Sequence, residues 1–128
     1  MELDIEAMLG AYVECALWSS TDNASESGGA PLDASYSADD IHPDTLATMR
    51  RDVESFAMAN AADILTWNAG RTTPEEQAGY DLWLTRNGHG CGFWEDEWQE
   101  VGARLTDAAH ALGTFDLYIG GDDRIHGA

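Results

Sequence analysis

Apolar residues return every three or four positions near the start of the chain, at Ile5, Met8, Leu9, Tyr12, Val13, Ala16 and Leu17. Glu2, Glu6, Gly10 and Glu14 run along the opposite side. This spacing predicts an amphipathic helix over about residues 3–18. The pattern then breaks. Residues 19–40 are rich in Ser, Gly, Asp and Ala around Ser27-Gly28-Gly29-Ala30-Pro31, which predicts a long loop, part of it mobile. Pro43 suits the first turn of a second helix, whose apolar face runs through Leu46, Met49, Val53, Phe56, Ala57, Asn60 and Ile64 to about Leu65. Thr73-Pro74-Glu75-Glu76 has the form of a capping box with Pro at the first helical position. It opens a third helix through Tyr80, Trp83 and Leu84 that stops at Asn87-Gly88. A fourth, about residues 95–112, aligns Trp98, Val101, Leu105, Ala108 and Leu112 ahead of a stop at Gly113.

After Gly113 the period changes to two. Phe115, Leu117 and Ile119 alternate with Asp116 and Tyr118, and Gly120-Gly121-Asp122-Asp123 turns the chain into Arg124-Ile125-His126. This predicts a C-terminal β-hairpin. A lone hairpin is marginal in water, so it has to pack on the helices or gain a strand, for which Gly92-Phe93-Trp94 is the candidate. The expected fold is α+β and mainly helical, with about four helices and a small antiparallel β element. At 128 residues the chain is expected to form a single domain.

Composition changes this picture in one respect, charge. Twenty-four acids face six bases, every base is Arg, and the formal net charge is −18. The first 49 residues hold ten acids and no Arg or Lys. A chain so anionic is not expected to bind nucleic acid or anionic lipid directly, because both need a cationic surface. Its partners are expected to be basic proteins, cations or small molecules. An apolar fraction of 44% with five Trp still belongs to a globular protein. No stretch approaches the ~18 apolar residues of a membrane span. The sequence Met1-Glu2-Leu3-Asp4-Ile5-Glu6 lacks the basic start of a signal peptide, so the expected location is the cytoplasm of a host cell. Cys15 and Cys91 form no framework. They are expected to be reduced thiols, Cys15 on the buried side of the first helix and Cys91 in a glycine-rich turn.

The least ordinary segment is Asp81-Leu82-Trp83-Leu84-Thr85-Arg86-Asn87-Gly88-His89-Gly90-Cys91-Gly92-Phe93-Trp94. It resembles a small protein family, encoded largely by bacteriophages, prophages and other mobile elements, whose pattern is close to D-F-W-L-T-R-N-G-H-G-A-G-F-W-D. The likeness extends upstream through residues 43–60. Downstream it runs through Arg104-Leu105-Thr106 to Leu117-Tyr118-Ile119-Gly120, so that it covers about the last two thirds of the chain. Leu82, Cys91 and Glu95 depart from the pattern without breaking it. The resemblance implies a viral or mobile-element origin and no particular reaction.

Taken residue by residue, the motif is a hub between the third and fourth helices. Trp83, Phe93 and Trp94 supply apolar surface, and Gly88, Gly90 and Gly92 allow close approach or positive φ. Two roles compete for its polar groups. In the local one, Arg86 pairs with a carboxylate, Asn87 caps the helix and His89 bonds a backbone carbonyl. In the other, Arg86, Asn87 and His89, flanked by Trp83 and Trp94, recognise an anion or a protein group. His89 as a base and Cys91 as a nucleophile are the candidates for an enzyme, and no P-loop, dinucleotide or Gly-x-Ser-x-Gly fingerprint supports one. His42, His110 or His126 could join His89 and Cys91 around a metal, but none has zinc-site spacing, and no metal or cofactor is expected. Asp122-Asp123 is read as turn chemistry, and Glu95-Asp96-Glu97 as acids favoured by the dipole at the start of the fourth helix.

The charge itself has two explanations. Ordered carboxylates, such as the stripe of Glu2, Glu6 and Glu14, could imitate nucleic-acid phosphates and block a basic host defence or regulatory protein, as anti-restriction and anti-CRISPR proteins do. Alternatively, fourteen Asp, ten Glu and no Lys match proteins that work in concentrated salt, where acidity serves solvation alone. The expected function is that of an acidic accessory protein acting by macromolecular binding. A small enzyme or ligand-binding domain built on the turn of Arg86, His89 and Cys91 is the alternative of another class.

Overall fold

The computed structural model describes residues 3–22, 30–68, 72–89 and 91–128; Glu2, Ser27-Gly28-Gly29 and Gly90 lie outside them, as does the side chain of Asp96. Its described residues form four α-helices and two small antiparallel β-pairs, an α+β fold that is mainly helical. Helix α1 (Ile5–Ser19) begins where the Asp4 side chain accepts the Ala7 N–H at 3.1 Å, and it buries Met8, Tyr12, Cys15 and Ala16 completely. Strands β1 (Thr21–Asp22) and β2 (Ala30–Pro31) pair antiparallel within the stretch expected to be loop. Leu32 is then drawn into the core, its N–H on the Ser20 carbonyl at 2.9 Å. A single buried leucine and a two-residue ladder leave no periodicity, which is why the sequence pattern misses them.

Helix α2 (Pro43–Ile64) is capped by His42, whose Nδ1 accepts the Asp44 N–H, and it is kinked at Asn60. Its inner face of Met49, Val53, Phe56, Ala57 and Ile64 is the one expected. Helix α3 (Pro74–Arg86) opens on the expected capping box, Glu76 N–H to Thr73 Oγ1 at 3.1 Å and Thr73 N–H to Glu76 Oε1 at 3.2 Å. It lies closely against α1. At their crossing Gly79 faces the Met8 carbonyl, and an added Cβ would stand 2.9 Å from the Ala11 Cβ.

The fourth helix corrects the sequence reading. A 3-10 segment covers Asp96–Val101, and helix α4 spans only Gly102–Ala111. Gln99, inside the 3-10 segment, sits at φ 56°, ψ −135°, outside helical space, and kinks it. Phe93 and Trp98 both enter the core just ahead of this bend, with ring centroids 5.2 Å apart. Glu95 and Glu97 therefore precede α4 by at least a turn and do not serve its dipole. The hairpin is present as β3 (Leu117–Ile119) and β4 (Ile125–Gly127), with Tyr118 opposite His126. Gly92-Phe93-Trp94 is a turn and not its third strand. The added partner is Ile41, which bridges to Ile125 in parallel while the His42 N–H reaches the Ile125 carbonyl. No helix among the described residues is long and apolar enough to cross a membrane.

Candidate functional site

The turn after α3 is a Schellman closure. Gly88, at φ +73°, lets its N–H reach the Thr85 carbonyl and lets the His89 N–H reach that of Leu84. Arg86 points inward from the last turn and is 5% exposed. Its Nε donates to the Gly113 carbonyl at 2.8 Å and Nη2 to that of Leu112 at 3.1 Å, while Nη1 donates to Tyr12 Oη and Asp52 Oδ2, both at 2.9 Å. The guanidinium thus caps the end of α4 and ties it to α1 and α2. Asn87 joins α3 to the hairpin, donating to the Trp83 carbonyl and accepting the Phe115 N–H at 2.8 Å. Trp83 is buried, its Nε1 on Ser19 Oγ at 2.8 Å.

These three side chains face inward, whereas His89 and Trp94 are exposed, so the five residues do not converge on one surface. The local role expected for His89 falls to its backbone N–H, and no hydrogen bond joins it to Cys91 among the described residues. Cys91 is exposed and free. Cys15 is buried, its thiol pushed up to about 12 by burial first and by the nearby Asp81 and Glu14 charges after that. His42 and His126 stack 5.0 Å apart, with His126 on Asp122 at 2.9 Å. No group of three His, Cys, Asp or Glu among the described residues is placed to hold a metal ion.

A different cavity lies behind the turn, between the residues after α2, the first half of α3 and the 3-10 segment. Its volume is about 350 Å³, and Trp67, Gln77, Asp81, Glu95, Glu97 and Trp98 line it together with Thr72. The two indoles stand 4.7 Å apart at 45°. Asp81 is 4% exposed, and both of its donors converge on one oxygen: Trp98 Nε1 at 2.6 Å and Gln77 Nε2 at 3.0 Å reach Oδ2. Gln77 is itself fixed by Thr72 Oγ1 at 2.9 Å, and Trp67 Nε1 by the Thr72 carbonyl at 3.2 Å. Burial raises the Asp81 carboxyl above its ordinary value; the two hydrogen bonds oppose that rise, and the charges of Glu95 and Glu97 add to it. The cavity thus has aromatic walls and three carboxylates, with no basic lining residue among the described residues.

The sequence reading overlooked this cavity. The signal it held was Asp81 itself, an acid set between Ala78 and Leu82 on the buried side of a helix.

No protein-family model, curated protein or solved structure matches the chain.

Proposed function

We propose that this protein is an acidic accessory protein of viral or mobile-element origin. It acts without catalysis by binding a basic macromolecular partner, whose helix seats on the exposed face of α1. That face consists of Glu6, Gly10, Glu14 and Trp18, the last 48% exposed. The observation that carries the reading is Gly10. A glycine in mid-helix costs about 1 kcal/mol relative to alanine. Nothing lies within 4 Å of a Cβ built there, so no internal contact calls for it. A glycine unneeded by its own fold suits the close approach of another backbone.

Grooves flank it on both sides. One, of about 450 Å³, has Leu9, Val13 and Leu17 as its floor and Glu14 and Asp33 at its rim. The other runs to Thr73, Glu76 and Tyr80. An apolar floor with an acidic rim complements a cationic amphipathic helix. Three of the six bases, Arg50, Arg86 and Arg104, are already paired with Glu6, Asp52 and Asp63.

The test is a selection of displayed helical peptides, of mixed charge, on the immobilised protein. The expected winners are cationic and amphipathic, and they lose affinity at least tenfold on Gly10→Leu, a change that leaves the fold intact. Winners without net positive charge, or binding indifferent to Gly10→Leu, would overturn the reading.

A second reading is favoured by one observation, that exposed carboxylates occur on α1, α2, the 3-10 segment, α4 and the hairpin turn, among them Glu14, Asp44, Glu97, Asp107 and Asp122. Charge so dispersed suits solvation in concentrated salt as well as it suits a partner.

A further inference from the structure

We infer that His42 is a proton-operated latch between the entry of α2 and the C-terminal hairpin. It holds the two together while its ring is neutral and lets go when the ring takes up a proton. None of the latch residues lines the grooves beside Gly10, so it goes beyond the docking proposed there and stands or falls separately.

Three contacts meet on this one residue. Its backbone N–H donates to the Ile125 carbonyl at 2.9 Å, beside the bridge between the buried Ile41 and Ile125. Its Nδ1 accepts the Asp44 N–H at 3.1 Å and so caps α2. Its ring stacks on that of His126, with centroids 5.0 Å apart and planes at 27°. His126 is itself held in place. Its Nε2 lies 2.9 and 3.1 Å from the two Asp122 oxygens, and the Tyr118 ring stacks on it at 5.7 Å. Gly120 leaves room for the imidazole, since an added Cβ would stand 2.5 Å from its Cδ2.

The cap is the feature that makes this a switch. Helices are ordinarily capped by Ser, Thr, Asp or Asn. Histidine caps with the lone pair that a proton takes, and it is the side chain that ordinarily changes charge between pH 5 and 8. Accepting at Nδ1 requires the neutral ring with its hydrogen on Nε2. A proton at Nδ1 sets two donors against each other across 3.1 Å and places a positive charge at the positive end of α2. It also turns the stacking partner of His126 into a cation. The charged ring has a second partner within reach, because the Asp44 carboxylate lies 3.9 Å from Nδ1 on a side chain that is 96% exposed. A swing of the ring toward that carboxylate exchanges one Asp44 contact for the other and gives up the cap. The first turn of α2 then loses its acceptor, and the His42 backbone that bonds Ile125 loses its anchor. The other charged and titratable groups on the elements that meet here are Asp39 and Asp40 ahead of the helix, Asp123 with Tyr36 on it, and Arg124.

The experiment is an NMR titration of the full chain from pH 8 to pH 5, at one KCl concentration that keeps it folded. Wild type is compared with His42→Asn, whose capping acceptor no proton takes in this range, and with His126→Phe, which keeps a stacked ring without charge. In the wild type the Asp44 amide signal is expected to move with the same midpoint as the His42 ring signals. Cross-peaks between Ile41 and Ile125 fall by at least half at pH 5, while the helical circular dichroism signal holds, which marks the opening as local. In His42→Asn the Asp44 amide and those cross-peaks stay constant over the same range. In His126→Phe the Asp44 amide still follows the His42 ring, because the proton acts on the cap. A His42 ring that titrates while the Asp44 amide and the cross-peaks stay still would overturn the latch, as would a ring that remains neutral down to pH 5. So would a His42→Asn protein that opens like the wild type, or cross-peaks lost only together with the helical signal.

Discussion

Replacing Arg86 with alanine tests whether the motif's most conspicuous polar residue holds the fold together or faces a partner. The guanidinium is 3% exposed and bridges α3 to Tyr12, to Asp52 and to the last two carbonyls behind α4, with its carbon 5.6 Å from the centre of the Phe115 ring. Truncation leaves the Asp52 carboxylate without its cation and two helix-end carbonyls without donors. Breaking a buried ion pair from one side costs ~3–5 kcal/mol. The Asp52 side chain is 20% exposed and can partly rehydrate, which places this contribution near the lower end. The orphaned carbonyls and the Tyr12 hydroxyl add about 1 kcal/mol or more between them. The sum is about 4 kcal/mol, a large share of the ~5–15 kcal/mol that stabilises an ordinary domain. At roughly 4 °C per kcal/mol for a chain of this size, the melting temperature falls by about 15 °C. Asp52→Asn takes the counter-charge from a buried guanidinium but leaves it three other acceptors, and loses about 2–3 kcal/mol. Thermal melts at constant KCl, followed by circular dichroism, measure both. An Arg86→Ala protein that melts within about 3 °C of wild type would refute the structural role and return Arg86 to the candidates for partner recognition.

Four further outcomes follow from the same structure. Gly79→Ala presses a methyl group onto the α1 backbone at the Met8 carbonyl and lowers stability by about 1–3 kcal/mol, whereas Gly10→Ala, with open space around it, raises stability by about 0.5–1 kcal/mol; paired chemical melts compare them. A thiol reagent at pH 8 modifies one cysteine per native chain, Cys91, and reaches Cys15 only in denaturant, as peptide mapping of the labelled protein reports. Asp81 has a raised folded-state pKa, so its contribution is fully present below the unfolded value near 4 and is lost as pH rises through the folded one. Asp81→Asn therefore gains stability relative to wild type across that window, which melts between pH 4 and 8 detect. Thermal melts from low to molar KCl weigh the two accounts of the acidity: folding confined to molar salt assigns the charge to salt adaptation, and stability already present at low salt, with little further response, favours a basic partner.

Where each residue's neighbours in sequence decide its structure, the pattern was legible. The capping box at Thr73, the entry of α2 at Pro43, the alternation that makes β3 and the burial of Cys15 all follow from local spacing. Three features depend on distant contacts and were not. Leu32 is buried because α1 and β1 offer it a site, not because its own segment is amphipathic. The expected helix from residue 95 gives way to a bend at Gln99 that seats Phe93 and Trp98 together, a requirement of the core that no helical periodicity encodes. The motif at 81–94 announced tightly placed polar groups correctly, but only a three-dimensional path shows that Arg86 and Asn87 turn toward α4 and the hairpin. The cavity escaped notice for the same reason, since Trp67 and Glu97 lie about 30 positions apart and are brought together only in the folded chain, where Trp67 meets Trp98.

Within the motif, then, the polar groups divide by task. Arg86 and Asn87 join α3 to α4 and to the hairpin, while Asp81 holds Trp98 and Gln77 on one oxygen. Burial disfavours its ionised form, and the charges of Glu95 and Glu97 add to that. Removing one of those charges in Glu97→Gln should therefore shrink the loss of stability that the wild type shows as pH rises through the Asp81 titration. Melts of the variant and the wild type that run parallel between pH 4 and 8 would mean that Glu97 does not act on Asp81.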